Sequence, residues 1–254
     1  MNKYEMFVVT HKKFNINLIE NYTPIQVGKS FTNLELPYIS DDTGDNIAFK
    51  NPNYCELTAL YWIWKNRQSS EYIGFCHYRR YFVYGMKCKF LDQKRIEQIF
   101  RKYDVILPEK FVTKKNVYTH YIESDSGREK DLINLRNIIE NLYPDYISDY
   151  DFIMNSKSAS YCNMMVMKNK HFNDYCEWLF NILFKLENIT DLTGYTKQEQ
   201  RIYGFLSEFL LNVWIMHNNL NVKYCSMYYI EENNIKNLGK RLKRGLRSIA
   251  FDKI

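Results

Sequence analysis

No stretch of about eighteen apolar residues occurs in this sequence, so no membrane-spanning helix is predicted. The N-terminal MNKYEMFVVTHKK has only a short apolar stretch, which excludes the core of a secretory signal and points to the cytoplasm. No two of the six cysteines form a C-x-x-C pair, and several lie within apolar runs. A zinc site or disulfide framework is therefore not expected, and these thiols read as small hydrophobes. Internal repeats and low-complexity linkers are also missing. Residues 1–232 hold 28 basic and 28 acidic side chains, so the net charge of +6 comes entirely from the segment after them. That balance excludes a broad nucleic-acid surface.

What is present suits one soluble α/β domain: 254 residues, 46% hydrophobic and 25% charged. YEMFVVT (4–10) and TPIQVGK (23–29) read as buried strands, and a polar loop (40–53) leads into a helix. Leu57, Leu60, Tyr61 and Trp64 lay an apolar stripe on that helix. A third strand, YIGFC (72–76), is followed by a helix (92–103) and a fourth strand (104–109). Further helices are predicted over 127–143, 171–187 and 198–218, with strands over 158–168 and 222–230. Alternating strands and helices predict a parallel-type sheet covered by helices.

In such sheets ligands bind beyond the carboxyl ends of the strands. Two of those ends are loaded with chemistry. The first strand runs into Thr10-His11-Lys12-Lys13, and the third into His77-Tyr78-Arg79-Arg80. If the two strands are neighbours, one crevice receives a hydroxyl, two imidazoles and up to four cations. Guanidinium forks bind phosphate oxygens bidentately, so a phosphorylated ligand fits there. The alternative is structural: surface ion pairs for the arginines and a satisfied core histidine.

Six collinear blocks carry a resemblance: FVVTHKK, PIQVGK, DDTGDNIAFKNPNYCELTALYWIWKN, YIGFCHYRRYF, NMMVMKNKHFNDYCEWLF and RIYGFLSEFLLNVWI. Together, from about Phe7 to Ile215, they resemble a bacterial family of capsular-polysaccharide and lipopolysaccharide glycosyltransferases long catalogued as a domain of unknown function. The resemblance implies a GT-A-like (Rossmann-like) mixed sheet flanked by helices, in one domain over 1–232. It implies a hexosyltransferase with a nucleotide-sugar donor, UDP-linked by preference, and a growing glycan as acceptor. Some members are similar to galactofuranosyltransferases. GT-A enzymes usually hold a divalent metal such as Mn²⁺ or Mg²⁺ on Asp-x-Asp at a strand end. Here the corresponding strand ends in His77-Tyr78-Arg79, without a carboxylate for a hard cation. No cofactor is firmly implied, and no metal ligand is assigned. Asp149-Tyr150-Asp151 does match the triplet, but it follows a helical stretch. Arg79 and Arg80, with Lys12, are instead expected to neutralise the departing diphosphate.

Within that reading Thr10, His11, His77 and Asn163 join the donor site; Asn163 matches a position where GT-A folds place a small polar residue near the sugar. Asp45 and Asn46, beside Gly44, either accept from donor hydroxyls or simply make a turn. Asn53 and Glu56 have capping-box spacing, and this structural role is set against an acceptor-side one. Glu208, amid apolar residues of the long helix, is the first choice for taking the acceptor's proton. Glu199 and Asp151 are the reserves, and a buried ion pair with Arg201 is the alternative for Glu208. The rival class is a non-catalytic nucleotide-sugar or glycan-binding module.

Residues 233–254 read as a basic amphipathic tail. On a helical wheel over 235–250, Ile235, Leu238, Leu242, Leu246, Ile249 and Ala250 oppose Lys236, Lys240, Arg241, Lys243, Arg244 and Arg247. Such a segment suits the anionic inner face of a plasma membrane and a lipid-linked acceptor, or else it docks on protein.

Overall fold

The computed structural model describes residues 3–14, 22–67, 69–86 and 88–230. The tail and the boundary proposed at 232 lie outside the described residues. Strands are β1 (Tyr4–Thr10), β2 (Tyr22–Gln26), β3 (Ile39–Ser40), β4 (Tyr72–His77), β5 (Arg80–Tyr84), β6 (Lys89–Phe90), β7 (Val105–Pro108), β8 (Phe111–Val112), β9 (Ser158–Ala159), β10 (Met165–Lys168) and β11 (Val222–Tyr229). Helices are α1 (Asn51–Tyr54), α2 (Leu57–Asn66), α3 (Gln93–Ile99), α4 (Val117–Ile122), α5 (Glu129–Leu142), α6 (Ile147–Asn155), α7 (Asn169–Ile189) and α8 (Ile202–His217).

The main sheet has the order β3-β2-β1-β4-β10-β7-β11-β5-β6, and β8 pairs with β9 in a separate ribbon. β1 lies between β2 and β4, parallel to both, and Val9 is opposite His77. The two loaded strand ends are therefore neighbours. β10 then enters antiparallel between β4 and β7. The sheet is thus mixed rather than parallel throughout. The hairpin from β4 to β5 also brings Arg80 opposite His77.

Side chains alternate across β1 and feed two cores. Phe7 and Val9 pack with α2, α5, α7 and α8, whereas Met6 and Val8 pack with α3 and β5. Burying each such side chain contributes roughly 1.5–3 kcal/mol. Gly74 in β4 permits that approach, since a Cβ there would lie 2.4 Å from Met6 Sδ. Helix α8 is buried on nearly every side, so a polar residue along it needs an internal partner or a cavity.

Two expectations change. The capping box does not form: α1 ends at Tyr54, Cys55 takes φ +52°, and α2 starts only at Leu57. Asn53 instead donates to Gln200 O at 2.8 Å, leaving Glu56 to turn away from the helix end. The strand predicted over 158–168 is two strands, because Cys162 and Asn163 take φ +77° and +50° between them. Asp149, Tyr150 and Asp151 are on helix α6 and not at a strand end, in keeping with the sequence reading.

Candidate active site

A cleft of about 550 Å³ opens at the carboxyl ends of β1, β2 and β4, closed by the α1–α2 junction, α8 and the turn before β10. Thr10 shapes its floor: its hydroxyl donates to Lys12 O (2.6 Å) and accepts from Lys12 N (3.1 Å), which turns the chain where His11 meets the cleft. Tyr78 is the rim's aromatic centre. His11 meets it edge-on at 5.5 Å, Lys12 Nζ lies 5.6 Å from its ring centroid, and the Arg79 guanidinium is 5.0 Å away. Arg80 lines the cleft directly, and Arg201 does so from the start of α8.

The turn at Cys162-Asn163 joins the polar side chains of the interior. Cys162 O accepts from His77 Nε2 at 2.7 Å, and Cys162 N donates to Glu208 Oε1 at 3.0 Å. The carbonyl can only accept, so His77 carries its proton on Nε2. Burial also holds the His77 pKa below its usual value, so it enters the cleft as a neutral imidazole. It therefore adds no positive charge to the cations expected there. Asn163 donates to Glu56 Oε1 (2.8 Å) and Gly204 O (3.0 Å), and accepts from Ser207 Oγ (3.0 Å). With 1% of its surface exposed, Asn163 stands behind the cleft, hydrogen-bonded to Glu56.

Among the described residues, Glu56 and Glu208 are the two carboxylates lining the cleft. Burial, reinforced by the charge of Glu56, pushes the Glu208 carboxyl up to about 8, against the lowering effects of Cys162 N–H, Arg80 and Arg201. The ion pair expected between Glu208 and Arg201 is absent among the described residues; Arg201 Nε instead donates to Cys55 Sγ at 3.2 Å. Gly204 lets Cys55 approach α8, since a Cβ there would stand 3.3 Å from both Cys55 Cβ and Sγ. Cys55, Cys162 and Asn163 account for three of the five described non-glycine residues at positive φ. Such conformations cost about 1–3 kcal/mol each and gather at functional sites.

Other predicted residues lie elsewhere. Asp45 accepts from Tyr61 Oη (3.1 Å) and Asn46 donates to Gly44 O (3.0 Å), a turn outside the cleft. Glu199 is gripped by Arg128 Nε (2.8 Å) and Nη2 (3.0 Å), which with Thr196 N holds its pKa down to about 2. Asp151 is bound by Arg136 at 2.9 and 2.8 Å beside a second cavity of about 330 Å³, and Asp149 pairs with His217 at 2.8 Å. Neither reserve carboxylate reaches the cleft. Among the described residues no three His, Cys, Asp or Glu side chains form a group able to hold a metal ion. Sequence reading missed Cys55, Cys162, Gly204 and Phe205 as cleft residues. A polar Asn inside the otherwise apolar NMMVM run was the one signal of a break there.

Fold and site together define a mixed α/β domain with a polar cleft beyond the carboxyl ends of β1 and β4, where the strand order reverses and α/β proteins hold ligands. The chain belongs to the family described as domain of unknown function DUF4422, whose model matches residues 5–219. It is similar over 91% of its length to the apo structure of WbbM, a bifunctional glycosyltransferase, with a TM-score of 0.84 and 32% identity. It spans 46% of that chain. No curated protein matches it.

Proposed function

We propose that this chain is a glycosyltransferase of GT-A type that moves a hexose from a nucleotide-diphosphate donor to a bacterial surface glycan. The observation that carries the reading is the likeness to a bifunctional glycosyltransferase along 91% of the chain, with the cleft at the strand ends expected for a nucleotide ligand. UDP is the preferred carrier, and galactofuranose heads the list of sugars to test.

Arg80, with Arg79 and Lys12 at the rim, stabilises the diphosphate as the sugar–phosphate bond breaks and its electron pair leaves with phosphate. An acceptor hydroxyl forms the new glycosidic bond and gives its proton to Glu208. Only the ionised carboxylate can take that proton, so kcat/KM rises as pH passes through about 8. Asn163 holds Glu56, which keeps Glu208 basic. The basic segment 235–250 contacts anionic lipid and brings a lipid-linked acceptor within reach. Among the described residues no helix is long and apolar enough to cross a membrane.

Assays of transfer and donor hydrolysis against a panel of UDP-sugars, with and without EDTA, test the reading. Turnover that persists in EDTA is expected. Tight donor binding without turnover by any sugar would favour the binding-module alternative.

A further inference from the structure

The smaller cavity, of about 330 Å³, takes no part in the proposed reaction, and no residue lines both it and the cleft. It opens where α4, α5 and α6 pack together. Buried Tyr150 donates to Leu132 O at 3.2 Å and so ties α6 to α5. Tyr118 Oη donates to Glu129 Oε1 at 2.9 Å, which fixes the aromatic wall supplied by α4. Ile133, 49% exposed, adds an apolar wall from α5.

The polar groups of this cavity balance one another in charge. Arg136 meets both oxygens of Asp151 and has Glu140 as a further partner at 3.3 Å. There is thus no unanswered cation to draw a phosphate, and no uncovered carboxylate on Asp151 to draw an amine or a metal ion. Two amides remain. Asn116 accepts from Thr119 N at 2.9 Å, and Asn155 donates to Asp151 O at 2.9 Å. A backbone N–H can only donate and a carbonyl can only accept, so both amides have a fixed orientation. Asn116 Nδ2 and Asn155 Oδ1 are left without a partner among the described residues. One free donor, one free acceptor, an aromatic ring and an aliphatic side chain suit a ligand with hydroxyls on its edge and C–H groups on its face. A wholly apolar ligand would leave the amides unpaired.

We infer that this cavity is a binding subsite for a neutral sugar unit, separate from the transfer cleft. The C–H face of the sugar packs on Tyr118 and Ile133, while its hydroxyls accept from Asn116 Nδ2 and donate to Asn155 Oδ1. The volume lies at the lower end of the range for small-ligand sites, about 300–1,000 Å³. In the proposed reaction the occupant is a unit already built into the growing glycan, and this second attachment keeps a long product near the enzyme between transfers. That role rests on the proposed function; the sugar binding does not.

The test uses the full chain labelled with ¹³C on its isoleucine, valine and methionine methyl groups. Ile133 and Met154 report on the smaller cavity, Val9 and Val27 on the cleft. The methyl glycosides of galactose, glucose and mannose are the probes. At least one is expected to shift the Ile133 and Met154 signals in a saturable way at millimolar concentration. The Tyr118→Ala/Asn155→Ala variant should bind that glycoside at least tenfold more weakly, with its melting temperature kept. No shift at Ile133 or Met154 with any of the three glycosides, shifts confined to Val9 and Val27, or equal affinity in a folded variant would overturn the inference. UDP is expected to move Val9 and Val27 alone. Its failure to do so would count against the transferase reading, so the two failures are told apart.

Discussion

In the smaller cavity Asp151 meets Arg136 through hydrogen bonds of 2.9 and 2.8 Å, whereas in the large cleft Glu208 has a backbone N–H for its partner. Glu199 repeats the first arrangement with Arg128. Where Arg128 covers both oxygens of Glu199, that carboxylate is held in its charged form down to about 2. Where a carboxylate is desolvated and faces a second carboxylate, it stays basic, as Glu208 does at about 8. The lesson is that the partner, more than the residue type, decides which acid can do chemistry. The strained backbone at Cys55, Cys162 and Asn163 lies only on the basic side of this contrast.

The contrast can be broken most severely at Glu208. The Glu208→Gln variant should lose about 10²–10⁴-fold in kcat/KM while keeping donor affinity, read by steady-state kinetics and calorimetry. Arg80→Gln should follow, with kcat lowered about 10²–10³-fold, because the leaving diphosphate loses a preorganised cation. Gly204→Ala drives a methyl to 3.3 Å from Cys55 and should cost about 1–3 kcal/mol in a urea titration.

Opposite pH dependences sharpen the comparison further. Folded Glu208 keeps its proton to about pH 8, whereas an unfolded Glu releases it near 4.5, so folding takes up a proton in between. The parent should therefore lose stability relative to Glu208→Gln as pH rises from about 4.5 to 8, seen as converging, then reversing, melting temperatures. For Glu199, held down to about 2, the contribution is present above 4.5 and is lost as pH falls toward 2. The smallest effect is expected at Asp151→Asn, within about 1 kcal/mol in stability and without change in turnover, since its pair with Arg136 is partly solvated.

Much of this was legible in the sequence, for definable reasons. The apolar runs of β1 and β4 ending in Thr10-His11 and His77-Tyr78 announced a shared crevice, and their pairing placed Val9 opposite His77. The apolar surroundings of Glu208 marked it as a costly carboxylate, and it does line the cleft. What stayed hidden depends on long-range partners. Glu199 and Arg128 are 71 residues apart, so the sequence could not show that Glu199 is already paired. Asn53 and Glu56 satisfy capping-box spacing, yet Cys55 breaks the helix because α8 packs against it at Gly204. Asn163 reaches Glu56 across 107 residues, so the sequence could show an unusual polar residue but not its target.

Titration calorimetry of UDP at fixed salt, on the parent, Arg80→Gln and Arg136→Gln proteins, tests the grip on the diphosphate most directly. The account predicts binding weakened at least tenfold by Arg80→Gln and unchanged by Arg136→Gln. Equal affinity for the parent and Arg80→Gln, or a loss confined to Arg136→Gln, would contradict it.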